Sequence, residues 1–148
     1  MRRVVVTGIG TINSTGHNVK DSFEAVVNGV CGIDTITLFD ASDFSVKIAG
    51  EVKDLDPTTV MDKKEVKKAD RFIQLGIKAA LEAMIDSGYV TQEDKKVDAS
   101  IADRFGMISG SGIGGLSTIE RNSVVCETKG SRKVSPFFIP SSLANMLS

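Results

Sequence analysis

The chain has no tryptophan, one tyrosine (Tyr89) and seven phenylalanines in 148 residues. Proteins that grip single-stranded nucleic acid stack its bases on aromatic rings, so this composition argues against that class. Charge of one sign is lacking too. Eighteen Lys and Arg against 19 Asp and Glu leave a net charge of −1, which provides no basic face for a nucleic acid backbone. No apolar run approaches the length of a membrane-spanning helix. Histidine occurs once, as His17, with no carboxylate or cysteine cluster beside it, so no metal-ligand set is present. The two cysteines, Cys31 and Cys126, form no C-x-x-C and read as reduced thiols of a cytosolic protein.

What is present reads as alternating strand and helix. Arg3–Thr7 is a β-branched run stopped by Gly8 and Gly10, a buried strand entering a glycine loop rather than a signal peptide. Val19, Phe23, Val26, Val27 and Val30 fall on one helical face behind Asn18 as N-cap, with Gly29 and Gly32 at the stop. Val46–Val52 alternates weakly, as a strand would. Lys63–Lys68 is a charge run. The strongest helix spans 70–87, apolar over most of its circumference, with Lys78, Glu82 and Asp86 marking its wet face. A polar loop over 91–103 precedes a second buried strand, Arg104–Ser109. A glycine loop, Gly110–Gly115, then leads into a helix from Leu116 to Glu127 closed by Gly130. After Pro140, residues 141–148 read as the first turns of another helix. The alternation predicts an α/β fold with parallel strands, of which the chain holds few for a sheet covered on both faces.

Individual motifs are weak. Gly110-x-Gly112-x-x-Gly115 satisfies a dinucleotide fingerprint, but the second strand with its acid is missing from the basic, proline-broken stretch 130–136. Close packing of helix on strand explains the glycines more simply. Cys31 lies just past a helix end and Cys126 late in a helix, where the dipole disfavours a thiolate, so both read as small hydrophobes.

Taken in order, several stretches are specific: Val4–Gly10, Gly32-Ile33, Phe39-Asp40, Lys47–Val52, Ala69–Gln74, Gly110–Leu116 and Val134–Pro140. Together they resemble the elongating β-ketoacyl-acyl-carrier-protein synthases, type II more than type I, along the whole chain. The resemblance implies a thiolase-like fold, two similar α/β halves in five αβαβα layers. Residues 1–148 would be most of the N-terminal half, an incomplete domain. It implies an acyltransferase of fatty-acid elongation that condenses malonyl-carrier with an acyl chain. An elbow cysteine accepts the acyl group and two histidines assist decarboxylation, with no cofactor. By resemblance all three lie beyond Ser148, so the 148-residue chain is expected to hold no catalytic residue and to be inactive alone. Ile113 resembles the residue gating the acyl pocket, and Phe138 one at the pocket rim near the dimer interface. Lys64, Lys67, Lys68, Arg132 and Lys133 match positions that dock the acidic acyl carrier protein. A homodimer is implied, in the bacterial cytoplasm or an organelle. Two departures stand out: Thr11–Thr15 replaces a usual Ser-Pro pair, and Phe23 a common Trp. Two other readings remain open, a non-catalytic remnant keeping dimerisation or carrier docking, and a nucleotide-binding module.

Overall fold

The computed structural model describes residues 2–147. Its elements, in order, are α1 (Val19–Val27), β1 (Ile33–Thr35), β2 (Ile48–Gly50), α2 (Lys63–Val66), α3 (Arg71–Asp86), α4 (Ala99–Ala102), α5 (Leu116–Lys129) and α6 (Phe138–Ser142). Short 3-10 turns lie at Pro57–Thr59, Ser131–Lys133 and Ala144–Leu147. The chain divides into two compact units, 1–56 with 79–95 and 57–78 with 96–148, and α3 contributes residues to both.

In the first unit, α1 begins where expected. The Asn18 side chain accepts the Asp21 N–H at 2.8 Å and donates back to the Asp21 carboxylate at 2.7 Å. Gly29, at φ +67°, ends it: Val30 N–H reaches the Ala25 carbonyl and Gly29 N–H the Val26 carbonyl. That double bond closes the last turn and needs a left-handed residue. Gly88 (φ +77°) ends α3 in the same way, through Tyr89 to Met84 and Gly88 to Ile85.

The segment from Gly8 to Val19 lies along the second half of α3. A Cβ on Gly10 would overlap the Ala79 carbonyl and come within 2.7 Å of the Ala83 nitrogen. Of the expected wet face, Asp86 is exposed, whereas Glu82 is half-buried. Glu82 accepts the N–H groups of Thr11 (3.0 Å) and Val19 (2.7 Å), and Asp86 accepts that of Ile9 (2.9 Å). Both carboxylates grip backbone that has no ladder partner, which a helical-wheel reading cannot foresee.

β1 and β2 pair antiparallel, Ile33 opposite Gly50 and Thr35 opposite Ile48. Lys53 Nζ stands 3.0 Å from the Asp34 carboxylate on this ribbon and, by that hydrogen bond, holds Asp34 below the usual carboxylate range. Glu51 accepts the hydroxyl of Thr37 at 2.6 Å together with the N–H groups of Thr37 and Leu38, and is lowered in turn, chiefly by the hydroxyl.

In the second unit α5 runs to Lys129 before Gly130, two residues further than expected. The loop 91–103 carries the turn α4, started by Asp98, whose side chain accepts the Ser100 N–H at 2.7 Å. The C-terminal helix also differs: it begins at Phe138, not after Pro140. Pro140 occupies its third position, where a helix has no intrahelical use for an N–H. Leu143, in an extended conformation, ends it.

The expected strands at Arg3–Thr7 and Arg104–Ser109 form no ladder among the described residues, and the one described sheet is two-stranded and antiparallel rather than parallel. Several of their apolar side chains are exposed, Val4 at 92% and Ile108 at 101%. A β-branched run becomes a strand only when a neighbour takes its N–H and C=O groups. The apolar stripe of α1 is exposed too, at Phe23, Val26, Val27 and Val30. The total accessible surface is 11202 Å² for 15.8 kDa, against roughly 7,300 Å² for a folded monomer of that mass. These residues therefore leave much apolar surface uncovered. Ala41, Ile73 and Val90 are the buried apolar residues among those described.

Candidate functional site

The residues singled out by sequence all fall in the second unit. Ile113 rides on the glycine loop, 64% exposed, between Gly112 and Gly114. Gly114 takes φ +81°, and its N–H donates to the Ser111 hydroxyl at 2.9 Å. The loop is seated on the end of α6: Gly115 N–H donates to the Ser142 carbonyl at 3.0 Å, and a Cβ on Gly114 would overlap that same oxygen. Phe138, half-buried, is the first residue of α6. The expected gate and the expected rim are thus on two segments joined backbone to backbone.

The basic run reaches the same place. Lys64 and Lys67 are exposed on α2 and at its C-terminal end. Lys68 is already engaged: its ammonium lies 2.9 Å from the Glu65 carboxylate and 5.5 Å from the centre of the Phe137 ring. At exposed sites the ion pair contributes about 0.2–1 kcal/mol and the ring contact about 0.5–1 kcal/mol, so Lys68 is the least free of the three. Its carbonyl accepts the Ser141 hydroxyl. Arg132 and Lys133 are exposed in the 3-10 turn after α5. Four residue steps separate Lys133 from Phe137, a span of at most about 14 Å. The segment 137–142 therefore gathers the gate loop, the rim residue and one end of the lysine run, with the second basic cluster a short tether away.

Beneath this surface lies a set of buried polar residues that sequence reasoning passed over. Asp70, Thr118, Asn122, Ser141 and Ser142 are each 7–8% exposed. The Asp70 carboxylate accepts the Thr118 N–H at 2.9 Å. The Asn122 side chain donates to the Thr118 carbonyl at 2.9 Å and accepts the Ser135 N–H at 3.0 Å. A hydrogen bond to a buried charge contributes about 1.5–3 kcal/mol. The adjacent serines after Pro140 and the Asp ahead of the longest helix were visible signals, but neither has a periodicity that marks it.

The nucleotide reading fares poorly against this geometry. A Cβ at Gly110 or Gly112 would meet nothing within 4 Å, so the close helix–strand packing expected to explain the glycines does not apply to these two. The N-terminal turn of α5 already holds the Asp70 carboxylate, which would repel a pyrophosphate. Cys31, in the first unit, is exposed with Sγ 3.8 Å from the Ile33 carbonyl, and Cys126 is exposed near the end of α5. Among the described residues no cluster of His, Cys, Asp and Glu could hold a metal ion, and no helix is long and apolar enough to cross a membrane.

The family model for the β-ketoacyl synthase N-terminal domain matches residues 1–148. A 3-oxoacyl-acyl-carrier-protein synthase 2 of Vibrio harveyi is 47% identical over 146 residues, covering 99% of this chain and 34% of that protein. Its namesake in Coxiella burnetii is 44% identical over 147 residues, again 99% and 34%. Among solved structures, the ishigamide ketosynthase/chain length factor superposes with a TM-score of 0.78 at 27% identity, covering 99% of this chain and 35% of that one. A type II polyketide synthase ketosynthase, solved with its acyl carrier protein, gives 0.75 at 25% identity over 99% and 38%. The chain spans about a third of the length of the curated relatives it matches. The thiolase-like fold expected from sequence is that of these ketosynthases.

Proposed function

The chain belongs to the β-ketoacyl synthase family, and from that membership we propose that its gene product condenses malonyl-carrier with an acyl chain in fatty-acid elongation. Residues 1–148 are read as most of the N-terminal half of a thiolase-like protomer. Their role is to shape the acyl pocket and receive the carrier, not to supply the nucleophile. In the family reaction a cysteine thiolate takes the acyl group from its carrier. Loss of CO₂ from malonyl-carrier then leaves a carbanion that attacks this thioester and restores the thiol. Neither Cys31, just past α1, nor Cys126, late in α5, stands at a helix N-terminus, the setting that activates a thiol.

The observation that carries the reading is the convergence on 137–142 of the Ile113 loop, Phe138 and the lysine run. A pocket gate and a docking patch belong side by side in an enzyme whose substrate arrives tethered to an acidic carrier. Lys64, Lys67, Arg132 and Lys133 are the exposed cations of that patch, and Lys68 contributes less because Glu65 and Phe137 hold it. A homodimer fits the apolar surface these residues leave bare. A cytoplasmic or organellar setting fits the unpaired, exposed thiols. The test is direct: supply the complete gene product with acyl-carrier and malonyl-carrier and look for 3-oxoacyl-carrier by mass spectrometry. Absence of that product under conditions where a known synthase forms it refutes the proposal.

A further inference from the structure

The N-terminus of α5 has a capping problem that its own sequence cannot solve. The residue before the helix is Gly115, which has no side chain to accept an N–H from the first turn. A Ser, Asn or Asp there is excluded by space: a Cβ would stand 2.6 Å from the Ser141 carbonyl, 2.9 Å from the Ser142 Cα and 3.0 Å from the Asp70 carboxylate. The close seating of the glycine loop on α6 thus removes the ordinary cap. The substitute comes from 48 residues away in sequence: Asp70, buried, accepts the Thr118 N–H, the third amide of the helix, at 2.9 Å. Two residues before Asp70, the Lys68 carbonyl accepts the Ser141 hydroxyl. The stretch 68–70 therefore holds both the helix that follows the loop and the helix on which the loop rests.

We propose that Asp70 is a positioning residue for the acyl pocket, capping α5 in place of Gly115 and thereby holding the Gly110–Gly115 loop and its Ile113 in register on α6. The proposal rests on the reading of Ile113 as the pocket gate. The same short stretch carries Lys68 of the basic run, so the docking surface and the gate share one anchor. A gate residue discriminates between acyl chains only if its loop cannot drift. Removing the anchor should blur chain-length preference before it abolishes turnover.

The experiment compares Asp70→Ala and Asp70→Asn with wild type in the complete gene product. The first readout is amide hydrogen exchange over 110–118. Asp70→Ala should lose about 10-fold or more in protection at Thr118 and the loop, the equivalent of one charge-assisted hydrogen bond, while Asp70→Asn, which keeps an acceptor oxygen, should lose less. The second is kcat/KM across a series of acyl chain lengths. In Asp70→Ala the ratio between the best and worst chains should narrow about fivefold or more, with partial rescue in Asp70→Asn. Unchanged protection in Asp70→Ala overturns the proposal. So does lost protection with an equal fall in kcat/KM at every chain length, which would make Asp70 a stabilising residue only. If Asp70→Ala does not fold, Asp70→Asn decides by the same two criteria. If wild type shows no condensing activity, the functional reading fails, and the exchange measurement still decides whether Asp70 holds the loop.

Discussion

Reversing Lys64 and Lys67 together to glutamate probes the docking surface without disturbing what lies beneath it. Both side chains are exposed, whereas Lys68 also pairs with Glu65 and covers the Phe137 ring. An exposed ion pair contributes ~0.2–1 kcal/mol. Losing two costs about 0.4–2 kcal/mol, or a ~2–30-fold rise in KM for a carrier-borne substrate at low salt, and the added repulsion raises it further. Rim charges act through steering, so the effect should shrink to within about threefold in 0.5 M salt, where screening acts over only ~4 Å. Steady-state assays of the complete gene product at both salts provide the numbers. Turnover of a small carrier-free thioester is the control and should stay near wild type. Lys68→Glu should instead lower the melting temperature, since it breaks two internal contacts. An unchanged carrier KM at low salt, or an equal loss with the carrier-free substrate, would refute the docking assignment.

Ile113→Phe should suppress elongation of long acyl chains more than short ones, because the ring fills space a longer chain needs; equal loss across lengths would leave Ile113 without a gating role. Gly10→Ala should destabilise the protein by about 2–4 kcal/mol in a denaturant melt, since the new methyl meets the rigid backbone of α3 rather than a side chain that can turn away. Acid should release the Glu51 clamp on Thr37 and Leu38. The Thr37 hydroxyl and backbone bonds depress the Glu51 carboxyl, so the clamp is complete above the ordinary glutamate value of about 4.3 and is lost as pH falls through the lower folded value. Exchange protection at Thr37 and Leu38, corrected for intrinsic rate, should be flat from neutral pH down to the ordinary glutamate range and decline as pH falls below it; protection that persists to full protonation would contradict the clamp.

The parts of the fold legible in the sequence are those set by local rules. Asn18 and Gly29 bound α1, Gly88 ends α3 and Gly130 ends α5, because caps and left-handed turns depend on one or two residues. The runs Arg3–Thr7 and Arg104–Ser109 were read from composition alone, and composition cannot supply the neighbouring strand a ladder requires. Charge alone places Glu82 and Asp86 in water, which holds for the exposed Asp86, but it cannot foresee their backbone partners at Ile9, Thr11 and Val19, more than sixty residues away in sequence. The site shows the same division. Ile113, Phe138 and the lysines were legible as motif positions. Asp70 lies inside the stretch Ala69–Gln74, but its bond to Thr118 and the contacts of Asn122, Ser141 and Ser142 were not legible, since a long-range polar contact leaves no periodic trace. Lys68 looked equivalent to Lys67 in the charge run, and only folding brings Phe137 beneath it.

The central claim is that these residues steer and shape while the acyl group is carried elsewhere. Loading the Cys31→Ser, Cys126→Ser double variant of the complete gene product tests it most directly. Both thiols are exposed, so serine should be accommodated at each. Incubated with acyl-carrier and read by intact mass, the variant should gain one acyl group at close to the wild-type rate. Loss of that adduct, or its mapping to Cys31 or Cys126 in the wild type, would contradict the account.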